Sequence, residues 1–420
     1  MDFSDATQYL LSLGHETLTI KLGLRNTELL LAALGNPERQ YQAIQIAGTN
    51  GKGSTAAMLD SICRVAGIST GLYTSPHLQS ITERIKINGQ DISEARFAEL
   101  TTTVKAAADK LLADGELEAL PTFFEHVTAI ALLAFQQAGV ELAILETGMG
   151  GRLDATTAVG ARIVGITPIS FDHQEYLGQS LAEIAAEKAA VIRPGTTVVV
   201  SPQPDEVRDV IVSRCEETGV APRWMSVERV RLGLRGTHQL TNAAVAVGLA
   251  EALAIGAGAI ARGLQMARHP GRLELFESVQ PHPKLRVLLD GAHNPAGTKA
   301  AAAYLTEAWR ETPITLVFGA MADKQVDEMA ATIFPLAARI VLTEPASPRS
   351  SKVEQLKTLA MRHAPEVSVH LTHESASAMQ TAVAITDGAK EMIYVTGSLY
   401  LVGEVRQWLQ VRSGIAGQFS

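Results

Sequence analysis

Two cysteines in 420 residues are too few for a disulfide framework or a cysteine-rich metal cluster. Cys63 and Cys215 both sit inside helical patterns, which suits buried thiols in a reducing compartment. No apolar run reaches the length that spans a bilayer, and the start Met1-Asp-Phe-Ser-Asp5 has neither the basic residues nor the apolar stretch of a signal peptide. A cytoplasmic protein without membrane attachment is therefore expected. Positive charge is also short: the net charge of -8 provides no basic field for nucleic acid, so an anionic substrate must be held by local cations. Short-period repeats and low-complexity tracts are missing as well. What remains is a globular composition, with 46% hydrophobic and 19% charged residues and 34 glycines placed mostly between periodic segments. The length exceeds what one hydrophobic core usually supports, so two domains are expected.

Strand-like and helical runs alternate almost throughout. Glu141-Leu-Ala-Ile-Leu145, Arg162-Ile-Val-Gly-Ile166 and Thr196-Thr-Val-Val-Val200 are short continuous apolar runs, as in parallel strands covered on both faces. Thr122-Phe-Phe-Glu125 and Ser180-Leu-Ala-Glu183 read as capping boxes, the first opening a helix that stops at Gly139. After an alanine-rich helix from Gln239 to Ala252, the stretches Arg268-His-Pro-Gly-Arg-Leu-Glu274 and Gln280-Pro-His-Pro283 break the pattern. Strands resume at Leu285–Leu289, Ile314–Phe318, Arg339–Leu342, Val367–Leu371 and Met392–Val395. The reading is α/β in both halves with mainly parallel sheets: a domain over 1–275, a linker over 276–284 and a smaller domain over 285–420.

Ala47-Gly-Thr-Asn-Gly-Lys-Gly-Ser-Thr55 lies between the apolar run ending at Ile46 and a helical run beginning at Ala56. A strand feeding a glycine-rich turn that opens a helix is the architecture of a phosphate-binding loop. Its backbone N–H groups and helix terminus favour a polyphosphate, Lys52 offers a cation and Ser54 a hydroxyl for Mg²⁺. The spacing is not the usual G-x-x-x-x-G-K-[ST], because Ile46 stands where glycine belongs and Gly53 where serine or threonine does. An ordinary glycine-rich turn is the competing account, and placement between strand and helix favours phosphate.

Glu146 ends a strand and enters Thr-Gly-Met-Gly-Gly-Arg-Leu-Asp154, at the carboxyl edge where open α/β sheets bind ligands. Gly148-x-Gly150 is no dinucleotide fingerprint, since Leu153 occupies the third glycine position. The next strand ends in Thr-Pro-Ile-Ser-Phe-Asp-His173. A lone histidine is more often structural, yet with Glu146 and Ser54 it makes a shared Mg²⁺ or Mn²⁺ the better account. Lys188, in Glu-Lys-Ala-Ala-Val-Ile192, reads by composition as a solvated lysine beside Glu187. Were it buried, its amine would become neutral and able to take up CO₂.

Taken in order, Gly-Thr-Asn-Gly-Lys-Gly-Ser54, Tyr-Thr-Ser-Pro-His-Leu78, Thr-Glu-Arg-Ile85, Glu-Thr-Gly-Met-Gly-Gly-Arg-Leu-Asp-Ala155, Phe-Asp-His173, Glu-Lys-Ala189, His-Gln-Leu-Thr-Asn-Ala243, Pro-Gly-Arg-Leu-Glu274, Leu-Asp-Gly-Ala-His-Asn-Pro295 and Gly-Ser-Leu-Tyr-Leu-Val-Gly403 closely resemble the Mur ligase superfamily, within it the folylpolyglutamate synthase and dihydrofolate synthase family. The resemblance spans nearly the whole chain. It implies a P-loop-containing, Mur-ligase-like first domain with a mainly parallel sheet and a smaller Rossmann-like second domain. It implies further that Thr49, Asn50, Gly51, Lys52, Gly53 and Ser54 cradle ATP, with Asn242 and Arg272 from the end of the first domain and Asp290 and His293 from the second. Ser54, Ser75, Glu146 and His173 would hold magnesium, and Lys188 would carry a carbamate that fixes a second Mg²⁺. Lys52, His173 and Lys188 are thus the expected catalytic residues. Pterin-binding positions fall on Ile20, Lys21, Leu22 and Gly23, on Thr122, Phe123, Phe124 and Glu125, and on Leu153, Asp154 and Ala155. Phe124 is the stacking candidate and Asp154 the hydrogen-bonding one. Thr157 stands where asparagine is usual, Ala190 where glycine commonly follows, and Lys21 where related bifunctional enzymes can carry an acid.

The implied reaction is carboxylate activation by ATP, followed by attack of the L-glutamate amine on an acyl phosphate. Dihydropteroate and tetrahydrofolates would be the acceptors, serving one-carbon metabolism, and the enzyme would act as a monomer. A single-activity folylpolyglutamate synthase is the alternative. The Phe-Phe-Glu125 and Gly-Ser-Leu-Tyr-Leu-Val-Gly403 stretches favour the folate branch over a peptidoglycan Mur ligase. A P-loop nucleotide switch would need an Asn-Lys-x-Asp motif, which the sequence lacks.

Overall fold

The computed structural model describes residues 1–14, 23–277, 279 and 284–413. Its backbone forms two compact units, one of Met1–Gly233 with Gln239–Arg268, the other of Leu234–His238 with the chain from His269 onward. The first holds an eight-stranded sheet built from β1 (Gln42–Ala47), β2 (Thr70–Tyr73), β3 (Ile85–Ile87), β4 (Gln90–Asp91), β5 (Leu142–Glu146), β6 (Ile163–Ile166), β7 (Thr197–Val200) and β8 (Pro222–Trp224). Their order is β4-β3-β2-β5-β1-β6-β7-β8, parallel from β2 to β8 and antiparallel where β3 meets β2 and β4. The second unit orders β9 (Glu274–Glu277), β10 (Arg286–Leu289), β11 (Ile314–Phe318), β12 (Arg339–Leu342), β13 (Ser368–Leu371) and β14 (Met392–Thr396) as β13-β12-β11-β14-β10-β9, with only β9 antiparallel.

The continuous apolar runs behave as covered parallel strands: every residue of β5, β11 and β14 is buried. One face of the first sheet packs a core containing Tyr73, Phe97, Phe135 and Leu145. Further along the same face, Ile166, Ile184, Val191 and Val198 form a second cluster, while the helix Gln239–Ala252 covers the opposite face, where a Cβ on Gly165 would meet Leu249 and Val245. In the second unit Phe318 and Phe334 meet edge to face, with centroids 5.0 Å apart.

Both capping boxes form. The Glu125 N–H donates to Thr122 Oγ1 at 3.3 Å, and the Thr122 N–H donates to Glu125 Oε2 at 2.7 Å. Ser180 and Glu183 exchange the same pair at the helix Leu181–Ala189. Gly139 takes the left-handed conformation that ends the helix Phe123–Ala138, at φ 63°.

The division of the chain differs from the sequence reading. Residues His269–Glu277, placed at the end of the first domain and in the linker, belong to the second unit, because β9 pairs with β10. Pro and Gly at 270–271 mark a turn into that strand, and the five-residue excursion Leu234–His238 had no compositional signal. No described helix is long and apolar enough to cross a membrane.

Candidate active site

β1 ends at Ala47, and the loop that follows is shaped by two glycines no other residue could replace without displacing a neighbour. A Cβ on Gly48 would sit 2.0 Å from Thr167 Oγ1, and one on Gly51, at φ 89°, would sit 2.0 Å from Asn242 Oδ1. Gly51 caps the helix Lys52–Val65, whose first turn contains Lys52, Gly53 and Ser54. That gives the strand, glycine turn and helix start that a phosphate loop requires, with free N–H groups at the positive end of the helix dipole.

The loop is stitched to the segment after β6. The Thr49 and Asn50 N–H groups donate to the Pro168 carbonyl, at 3.0 and 3.1 Å. Thr49 Oγ1 donates to the Ser170 carbonyl, and Asn50 Nδ2 to Ser170 Oγ. Lys52 Nζ folds back onto the Thr49 carbonyl at 3.2 Å. Asn242 arrives on the helix Gln239–Ala252 and receives the Thr55 hydroxyl on its backbone carbonyl, at 3.2 Å. Beside it Gln239 links Asn242 to Ser54 Oγ, accepting from Asn242 Nδ2 at 2.9 Å and donating at 3.4 Å. Gln239 lay in a recognised motif but had no assigned role, and only its burial beside Ser54 reveals one.

Neighbouring strands bring the expected metal ligands to one sheet edge. In the order β2-β5-β1-β6, Tyr73 pairs with Leu145, Ile46 with Glu146, and Ala47 with Ile166. The carboxyl ends of these strands therefore deliver Ser75, Glu146, the phosphate loop and the segment leading to His173 to the same edge, where the connection after β1 runs to β2 on one side and that after β6 to β7 on the other. The buried Glu146 carboxylate accepts the Ser75 N–H through Oε2 at 3.2 Å. His173 adopts φ 51° to start the short helix Gln174–Leu177, and its Nε2 lies 3.9 Å from Asp172 Oδ1. Among the described residues no three His, Cys, Asp or Glu side chains form a metal cluster. The expected set contains two such side chains together with hydroxyls, a hard oxygen-rich set with one imidazole that fits Mg²⁺ or Mn²⁺.

Lys188 is buried, which removes the solvated reading. Its Nζ donates to the Gly48 carbonyl at 2.9 Å. Burial first, and then the nearby Lys52 charge, push its pKa down to about 7. Glu187 pairs instead with Arg152, whose Nη2 lies 2.9 Å from Oε1. Gly151 lets the helix Leu181–Ala189 lie against the loop, since a Cβ there would meet the Glu187 and Lys188 carbonyls at 2.9 and 3.0 Å.

The presumed pterin positions divide by accessibility. Ile20, Lys21 and Leu22 lie outside the described residues, and Gly23 is half-buried at their edge. Thr122 and Glu125 hold the helix cap, and Glu125 also accepts the Thr27 hydroxyl at 3.2 Å. Phe123 is buried, with the Arg84 guanidinium 5.3 Å from its ring centroid. Ala155 is buried. Phe124 is half-buried, 6.0 Å from the Tyr73 ring, and rests where a Cβ on Gly148 would come within 2.5 Å of it. Leu153 is half-buried too.

Asp154 has a role the sequence did not show. Oδ2 accepts the Gly148 and Met149 N–H groups at 2.9 and 3.0 Å. Oδ1 accepts the Thr156 N–H at 3.0 Å and its hydroxyl at 2.5 Å. The acceptor capacity of the carboxylate is thus committed to the loop itself. Burial raises its pKa while these bonds lower it.

In the second unit Arg272, Asp290 and His293 converge on Gly291. Arg272 Nη1 donates to the Gly291 carbonyl at 3.2 Å, and His293 Nδ1 lies 2.8 Å from the same oxygen. Asp290 is buried, accepting from the Leu273 N–H at 3.3 Å and the Tyr394 hydroxyl at 3.4 Å. Burial raises its pKa to about 6, against the opposing pull of Arg272. Arg272 was expected at the end of the first domain, but β9 draws it into the second unit beside Asp290.

Residues 46–221 match the Mur ligase middle domain family, and 271–399 match the Mur ligase glutamate ligase domain family. The chain is 36% identical over 97% of its length to a probable bifunctional folylpolyglutamate synthase/dihydropteroate synthase of Halobacterium salinarum, and it spans 51% of that relative's length. It is 34% identical to the dihydrofolate synthase/folylpolyglutamate synthase of Bacillus subtilis, covering 94% of this chain and 97% of the relative. Among solved structures, Mycobacterium tuberculosis folylpolyglutamate synthase complexed with ADP and AMPPCP superposes at a TM-score of 0.89 with 31% identity, over 97% of this chain and 99% of that one. The Yersinia pestis bifunctional folylpolyglutamate synthase/dihydrofolate synthase complexed with AMPPNP and Mn ion gives a TM-score of 0.84 with 28% identity, over 98% of each chain. A phosphate loop of unusual spacing, a buried lysine closing on it, and two matched domains in sequence order carry the same conclusion: the chain belongs to the folylpolyglutamate synthase/dihydrofolate synthase family of Mur ligases.

Proposed function

We propose that the chain is an ATP-dependent ligase joining L-glutamate to a pterin-linked carboxylate, using both dihydropteroate and tetrahydrofolates. The observation that carries this reading is the phosphate loop flanked at one sheet edge by Glu146 and Lys188. The carboxylate oxygen of the acceptor attacks the γ-phosphorus of ATP, the bond to the β-phosphate oxygen breaks, and an acyl phosphate and ADP result. Lys52 and the N–H groups of the first helical turn offset charge growing on the transferred phosphoryl oxygens. The glutamate amine then attacks the acyl carbon, the C–N bond forms, phosphate leaves and the amine gives up a proton.

Ser54, Ser75, Glu146 and His173 would hold Mg²⁺, which when bound offers Lewis-acid stabilisation of phosphoryl oxygens. The neutral Lys188 amine is suited to add CO₂, forming an N–C bond with release of a proton, and the resulting anion would hold a second Mg²⁺. Asn242 lies against Gly51 to contact the nucleotide, and Arg272, Asp290 and His293 form a second group of nucleotide contacts. Phe124, resting on Gly148, would stack on the pteridine, with Leu153 beside it. We place the enzyme in the cytoplasm as a monomer acting in folate and one-carbon metabolism.

The test is ADP release and product mass with purified protein, ATP and glutamate, against dihydropteroate and tetrahydrofolate separately. Glutamylation of both supports the bifunctional reading. Extension of tetrahydrofolate alone reduces it to a folylpolyglutamate synthase, and ADP release with neither removes the folate assignment.

A further inference from the structure

Gln45 is a polar residue in the middle of a buried central strand, fully enclosed and one position before the last residues leading to the phosphate loop. Its Nε2 donates to Thr156 Oγ1 at 2.9 Å and to Thr157 Oγ1 at 2.6 Å. Each hydroxyl has one proton, and each passes it onward: Thr156 Oγ1 to Asp154 Oδ1 at 2.5 Å, Thr157 Oγ1 to the Gly151 carbonyl at 2.7 Å. Both hydroxyls must therefore accept from residue 45, and an amide NH₂ has two protons, one for each. This fixes the orientation of the Gln45 amide by the direction of the donors alone.

The chain of bonds continues through Asp154 Oδ2 to the Gly148 and Met149 N–H groups, the backbone on which Phe124 rests. The segment from Gly148 to Asp154 lies in no strand or helix, and the Asp154 network holds its shape together with backbone bonds from Arg152 to Glu187 and from Asp154 to Gly151. β1 itself is held independently: Gln45 pairs through its backbone with Leu145 on one side and Val164 on the other. Loss of the Gln45 side chain thus releases the loop while leaving the strand and phosphate loop in register.

We propose that Gln45 is a positioning residue for folate, holding through its two amide protons the Gly148–Thr157 segment that receives the pterin end of the substrate. This rests on the assignment of that segment and Phe124 to substrate. A carboxylate of the same size cannot replace the amide, because it brings two acceptors and no proton to two hydroxyls already committed as donors elsewhere.

The test measures KM for tetrahydrofolate and for ATP, with kcat, in Gln45→Leu, Gln45→Glu, Thr157→Val and Phe124→Ala. Gln45→Leu and Gln45→Glu are expected to raise KM for tetrahydrofolate at least tenfold, with KM for ATP within twofold of wild type. Thr157→Val, which removes one of the two links at constant volume, is expected to raise KM for tetrahydrofolate about threefold, and it decides the matter if the Gln45 variants do not fold. KM for tetrahydrofolate within twofold of wild type in the folded variants, or an equal rise in both constants, overturns the inference. If Phe124→Ala raises KM for tetrahydrofolate while Gln45→Leu does not, the inference falls alone. If neither raises it, the assignment of the loop to substrate falls with it.

Discussion

The Nζ of Lys188 lies 2.9 Å from the carbonyl oxygen of Gly48, so the amine of one helix closes on the first glycine of the phosphate loop. Its pKa falls from the ordinary 10.5 to about 7, because burial disfavours the charged form and Lys52 repels it. Between these values the unfolded chain holds a proton that the folded chain does not. Stability contributed by this group therefore rises with pH from 7 to 10.5, and the burial penalty is greatest below 7. Lys188→Met should melt at a higher temperature than wild type at pH 6, with the gain shrinking as pH approaches 10. Thermal unfolding across that range in CO₂-free buffer measures it, and a constant difference would mean that the amine is solvated.

A neutral amine in this position has a second consequence under CO₂. Electron density at high resolution should show a planar three-atom extension of Nζ in magnesium-bound crystals, and Lys188→Ala should regain part of its activity with formate or acetate. An unmodified, well-ordered Nζ beside bound magnesium contradicts the carbamate.

Lys52 is half-buried on the loop and packs little, so Lys52→Ala should keep its melting temperature while ligation slows on the order of a hundredfold or more. Circular dichroism melting and ADP release distinguish the two effects. Near-normal turnover in the folded variant would remove Lys52 from phosphoryl transfer.

His173→Ala should raise the Mg²⁺ concentration needed for half-maximal rate more than it raises KM for glutamate. A purely structural histidine would lower stability and leave the metal titration unchanged. Superimposable titration curves would therefore return His173 to a packing role.

Asp154 and Phe124 should behave differently from one another. Asp154→Ala strands three backbone N–H groups and loosens the loop, so it should cost about 1–3 kcal/mol of stability and slow both dihydropteroate and tetrahydrofolate ligation by similar factors. Phe124→Ala should harm dihydropteroate more, because that substrate lacks the glutamate groups by which an enzyme can also hold folate. Parallel kcat/KM measurements on the two acceptors decide each case.

Much of this architecture was legible because covered parallel strands write themselves as continuous apolar runs. Ile314–Phe318 and Arg339–Leu342 occur with the boundaries read from sequence, β5 is shifted by one residue, and β6 starts one residue later than read but ends at Ile166 as expected. Thr122 with Glu125 and Ser180 with Glu183 were readable because a capping box is local in sequence. The fate of Lys188 was not, since its burial depends on a carbonyl 140 residues away. Asp154 looked available because nothing in its neighbours announces that Gly148, Met149 and Thr156 fill its oxygens. Gln45 attracted no notice for the same reason: its partners lie 111 and 112 residues along the chain. Arg272 was misplaced by a boundary drawn after residue 275, inside β9, when the pairing of that strand with β10 decides membership.

The chain leaves the first unit after Gly233, returns at Gln239 and leaves again after Arg268. Its late return brings Asn242 to Gly51 and Gly263 to Ile62, where a Cβ on Gly263 would come within 2.4 Å of the backbone, and the Ser61 hydroxyl donates to the Gly263 carbonyl at 2.8 Å. During synthesis the phosphate-loop helix therefore waits for more than half the protein to emerge before its outer face is covered. A nascent chain released before residue 268 would expose that face and be a target for chaperones, however complete its sheet. Separating the two units at a single peptide bond would likewise leave one of them without a segment it owns.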